Sequence, residues 1–140
     1  MAGAQGTEQV LVEKIDDFVE QFKVNPDVIK IDTEGYELNI FKGMKQTLEK
    51  SASVIVSELS EKFLQELGLS LRETLRFMEG CGYHCYVLGD QGRLVGYPIG
   101  SAHDALPASP VNVVFTKGAP VFEVIECPSK ERDSSPTSCG

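Results

Sequence analysis

Three carboxylates, Asp32, Glu34 and Glu37, crowd the string Val28–Glu37, VIKIDTEGYE, and a fourth, Glu58, ends a second apolar run, ASVIVSE at Ala52–Glu58. A carboxylate at the end of a buried strand is costly to desolvate unless it has a partner or a task. Two of them one strand apart can hold a metal or share a proton, or hydrogen-bond backbone amides. In open α/β sheets ligands bind outside the carboxyl ends of the strands, so Asp32 at the last strand position is the best placed to face a pocket. Glu34 in the turn is the second catalytic candidate, and Glu37 and Glu58 are candidates on the substrate side. The competing account is that the glutamates complement helix amides, worth a few tenths to about 1 kcal/mol each. Gly35 suits a turn that needs unusual dihedrals or a close approach.

A metal site would need more. His84 and His103 show no ligand spacing, and Cys81, Cys85, Cys127 and Cys139 form no C-x-x-C pair. No metal is expected, and Cys81 and Cys85 read as small apolar residues near a core.

The elements that must position these carboxylates follow from periodicity. Val28–Asp32 is apolar except for Lys30 and reads as a strand. Tyr36–Lys50 carries Leu38, Phe41, Met44 and Leu48 on one side and reads as one helix, with Gly43 allowing close packing on the sheet. Ala52–Glu58 is the next strand, and about 30 residues from strand to strand is the size of one βαβ unit. Upstream, Ile15, Phe18, Val19 and Phe22 form the stripe of a short helix, and Val10–Val12 reads as a short strand. Downstream come a helical segment at Glu61–Leu67 and a capping box, Ser70 to Glu73, opening another helix. Tyr83–Leu88 and Arg93–Tyr97 form a hairpin around Gly89–Gly92, Gly100–Pro110 is a loop containing His103 and Asp104, and Val111–Thr116 is a last strand.

Composition bounds the rest. The chain has 140 residues, a net charge of −8 and 41% hydrophobic residues, which suits one globular domain without a basic face for nucleic acid or anionic membrane. The start, MAGAQGTEQV, lacks the pattern of a secretory signal, and no apolar run approaches a bilayer span. The expectation is a soluble, cytoplasmic protein. Its parts are a disordered stretch at 1–9, a partial domain at 10–117 and a flexible tail at 118–140. A strand as apolar as Val28–Ile31 belongs in the middle of a parallel sheet, yet residues 1–27 offer it little on one side. The exposed edge this leaves invites self-association.

The string IKIDTEGYELNIFKGM, followed by a spacer and IVSEL, resembles the signature of the FkbM family of S-adenosylmethionine-dependent methyltransferases. VEKIDDFVEQF upstream and GYHCYVLGDQGRL and NVVFTK downstream resemble further segments of it, so the likeness runs over about Val10–Lys117. The resemblance implies an α/β, Rossmann-like class I methyltransferase fold, here as its C-terminal half only. It implies methyl transfer from S-adenosylmethionine, typically to a hydroxyl, with Asp32 and Glu34 near the transfer pocket. The family's glycine-rich cofactor loop has no counterpart here, and Gly89–Gly92 lies in a hairpin and precedes no helix. The alternative is a non-catalytic remnant that serves as a binding or dimerisation module.

Overall fold

A computed structural model describes residues 8–51, 54–89, 92–97, 110–118 and 124–125. In chain order they form α1 (Ile15–Phe22), β1 (Val28–Ile31), α2 (Glu37–Gly43), α3 (Lys45–Lys50), β2 (Val54–Leu59), α4 (Glu61–Glu66) and α5 (Leu71–Gly80). The hairpin strands β3 (His84–Leu88) and β4 (Leu94–Tyr97), then β5 (Val111–Thr116) and β6 (Val124–Ile125), complete the set. The six strands make one mixed sheet in the order β1-β2-β5-β3-β4-β6. β1 and β2 run parallel, β5 is antiparallel to both β2 and β3, and β6 lies parallel to β4. This mixed α/β architecture is compatible with a methyltransferase-like α/β fold.

Side chains alternate across each strand, and the alternation separates two unlike faces. Ile31, Ile55, Leu59, Cys85, Val111, Val113 and Phe115 point to one face, where they join Phe41, Met44, Leu48, Leu64, Leu75 and Met78 from the helices in a single core. Burying side chains of this size is worth about 1.5–3 kcal/mol each. Phe41 meets Phe115 edge-on with ring centroids 5.8 Å apart, so the first helix after β1 is seated on the middle of the sheet. The register pairs Lys30 with Val56, Val56 with Val114 and Glu58 with Asn112, so these residues point to the opposite face. Val114 is buried there, but none of these residues joins the helix-packed core.

The helix layer follows the strands. α1 touches α2 and α3, α2 touches α5, and α5 touches β3, so the layer runs from the β1 end toward β3. Among the described residues β1 has one neighbour and forms the open edge of the sheet. This is the exposed edge expected from the scarcity of strand candidates before β1.

Other expectations change as well. The single helix over Tyr36–Lys50 is two helices, because Met44 (φ −121°, ψ 22°) leaves the helical range. The break is stabilised from a distance. Asp16 of α1 accepts hydrogen bonds from Gln46 N (3.0 Å), Thr47 N (2.8 Å) and Thr47 Oγ1 (2.7 Å), satisfying the first amides of α3. Burial alone would raise the Asp16 carboxyl, but these hydrogen bonds hold it below its usual value. A Cβ on Gly43 would stand 3.7 Å from Lys14 Cγ, an ordinary contact, with no sheet atom within 4 Å. Val10–Val12 forms no strand and is exposed. Ser70 Oγ does accept from Glu73 N at 3.2 Å, but the Glu73 carboxylate turns to Lys42 (2.9 Å). The 118–140 segment contributes β6 to the sheet, and its remainder beyond Gly118 lies outside the described residues, as does the loop with His103 and Asp104.

Candidate active site at the end of the first strand

The turn between β1 and α2 is built around a buried carboxylate. Glu37, with no exposed surface, stands in the first turn of α2 and faces back toward the strand end. Its Oε1 accepts from Thr33 N (3.1 Å) and Thr33 Oγ1 (3.0 Å), and Gly35 N donates to Oε1 (3.2 Å) and Oε2 (3.0 Å). A buried carboxylate is tolerated because it gathers donors that the turn would otherwise leave unpaired. Two consecutive residues there have left-handed φ angles: Glu34 at 51° and Gly35 at 109°. The first is uncommon for a residue with a side chain, and such strain persists only where surrounding bonds fix it.

Gly35 has a second reason to be glycine. A Cβ at that position would stand 2.7 Å from the Phe63 carbonyl oxygen of α4, closer than real Cβ atoms come. The turn is therefore clamped from inside by Glu37 and from above by the α4 backbone. What it displays outward is Asp32 and Glu34, both exposed.

Asp32 receives Lys30 Nζ at 2.9 Å, an exposed pair worth at most about 1 kcal/mol. Ile31 is in register with Ser57, so Asp32 and Glu58 follow as neighbours on adjacent strands, roughly 4.8 Å apart in the backbone, on the face away from the helices. The structure thus brings Asp32 and Glu58 to one rim and keeps Glu34 beside them in the turn. Glu37 is not a substrate group: both its oxygens are turned inward and occupied. Sequence spacing signalled a carboxylate at a helix start, but only the folded distances reveal that it binds its own turn.

The remaining reactive groups lie elsewhere. Burial raises the Cys81 and Tyr83 protons and pushes the Cys85 thiol up to about 12, so neither thiol is an activated nucleophile. Tyr83 packs under Lys117, whose Nζ is 5.2 Å from the ring centroid and donates to Glu49 O at 2.9 Å. Among the described residues no three His, Cys, Asp or Glu side chains are grouped to hold a metal. Among the same residues no helix is long and apolar enough to cross a membrane.

A family model described as the methyltransferase FkbM domain matches residues 4–85, the N-terminal part of the chain. The match takes in β1, the clamped turn, β2 and α5 and stops at Cys85, short of the Lys117 limit expected from the sequence. No curated protein and no solved structure matches the chain.

Proposed function

The chain belongs to the FkbM methyltransferase family, and from that premise we propose that it serves methyl transfer from S-adenosylmethionine to a hydroxyl oxygen. The observation that carries this reading is the clamped turn, which lies inside the matched stretch and holds two exposed carboxylates at the carboxyl end of a parallel strand. In this reading the Asp32 carboxylate would accept the hydrogen bond of the acceptor hydroxyl and take up its proton, and S-adenosylmethionine would supply the methyl group. Glu34 and Glu58 flank that position and orient the acceptor.

The described residues do not by themselves fit the cofactor. The turn after β1 is the one strand-to-helix turn with a glycine that follows a parallel strand, and its Thr33 and Gly35 amides are already engaged by Glu37. Gly35 is pressed against Phe63, which leaves no room for a ligand there. We therefore assign this chain the acceptor side of the site, as the C-terminal half of the family's domain, with the cofactor cradle outside the described residues. A second reading is a binding or dimerisation module without catalysis, and the open β1 edge favours it.

Calorimetric titration of the whole chain with S-adenosylmethionine separates the two. Saturable heat supports methyl transfer, and Asp32→Asn should then lower turnover more than about tenfold at unchanged melting temperature. A flat trace at millimolar cofactor sinks catalysis by this chain alone and leaves the second reading.

A further inference from the structure

We infer that the β1 edge, open among the described residues, together with the outer side of α1, is the seat of a second copy of this chain related by a two-fold axis along the sheet normal. The edge is chemically unfinished. Val54 N donates to Asp27 O at 2.8 Å, which fixes the parity of the parallel ladder. Odd-numbered residues of β1 turn their amides and carbonyls to β2, so Val28, Lys30 and Asp32 turn theirs outward from the edge.

The helix that leads into β1 is also unfinished. α1 buries none of its residues fully, and Phe18 and Phe22, in ring contact at 4.6 Å, remain 46% and 55% exposed. On helical geometry they lie roughly 140° around α1 from Asp16, the residue that grips α3. They therefore point away from α3. Val24, 42% exposed, adds apolar surface on the connection to β1, while Val28, 63% exposed, shares the far face of the sheet with Lys30. An exposed pair of aromatic rings in contact marks an interaction site.

A two-fold axis along the sheet normal satisfies both deficits at once. It pairs β1 antiparallel with β1 of the second copy and leaves the helix layers on the same face, so the two α1 helices meet above the seam with their phenylalanines between them. Parity allows even residues to bond only with even ones. The register centred on Lys30 opposes two ammonium groups, whereas the register centred on Ile31 sets Lys30 opposite Asp32 of the second copy, twice over. Charge thus selects the second register. Since this seam takes up Asp32, it belongs with the reading of the chain as a dimerisation module, although a flat cofactor titration and a monomeric chain are separate results.

Sedimentation velocity on the full chain tests this, with circular dichroism to check folding. The wild type should sediment as a dimer of twice 15.3 kDa. Phe22→Glu and Lys30→Asp, both at exposed positions, should each weaken the dimer by about tenfold or more, and Lys30→Asp combined with Asp32→Lys should restore it to within about threefold. Lys30→Pro removes an amide that β2 does not use and should also dissociate the dimer. A wild type that stays monomeric at about 100 µM overturns the inference. So does a dimer that ignores the Phe22 change, or one that ignores the charge exchange.

Discussion

Gly35 in the turn after β1 and the Phe63 carbonyl in α4 are in direct backbone apposition, and a Cβ on the glycine would come within 2.7 Å of the oxygen. The same glycine has φ of 109°. Gly35→Ala therefore meets a steric conflict with backbone and a dihedral penalty together, and neither neighbour is a flexible side chain that can move aside. Chemical denaturation should show a loss of about 2–4 kcal/mol. A loss below about 0.5 kcal/mol would mean that α4 can retreat and that the turn is not clamped from above.

Glu37 supplies the clamp from inside. Glu37→Ala leaves the Thr33 and Gly35 amides without their acceptor and opens a small void, so it should cost about 2–4 kcal/mol. Glu37→Gln keeps one acceptor oxygen and should recover part of that. If Glu37 instead met substrate, both changes would spare stability and alter only turnover.

The order of strands and helices around this turn was legible in the sequence, because apolar runs bounded by Gly and Pro fix where elements fall. The role of Glu37 was not, since a helix-start glutamate looks the same whether it faces solvent or folds back on its own turn. The helix break at Met44 was hidden for a similar reason. Leu38, Phe41, Met44 and Leu48 keep one stripe through the break, and the residue that stabilises it, Asp16, lies 31 positions before Thr47. The edge position of β1 was half legible. Missing strands can be noticed in a sequence, but the one-sided helix layer and the outward Phe18 and Phe22 exist only in the fold.

Ser57 shows the opposite balance from Glu37. Its side chain points into the core face opposite Ile31, is fully buried, and its Oγ meets no hydrogen-bond partner among the described residues. A buried hydroxyl without a partner costs more than the methyl that would replace it. Ser57→Ala should be neutral or stabilising by up to about 1 kcal/mol. A loss above about 1 kcal/mol in the unfolding free energy from chemical denaturation would reveal a partner for the hydroxyl.

Asp16 makes the stability depend on acid in a definite direction. Its carboxyl sits below the usual 3.8 in the folded chain despite the opposing effect of burial, because the Gln46 and Thr47 donors favour the charged form. The unfolded chain then binds the proton more readily than the folded one, so the contribution is complete above the usual value and is lost as pH falls through the folded value. Asp16→Ala should cost about 1–2 kcal/mol near neutral pH, the range for removing an N-terminal cap. Asp16→Asn, which keeps an acceptor but not the charge, should lose less, and its deficit against wild type should shrink as pH falls below about 4. Parallel melting curves at neutral and acid pH read this directly. A deficit that stayed constant or widened in acid would mean that the carboxylate charge does not hold α1 to α3, and that packing of Ile15 carries the contact instead.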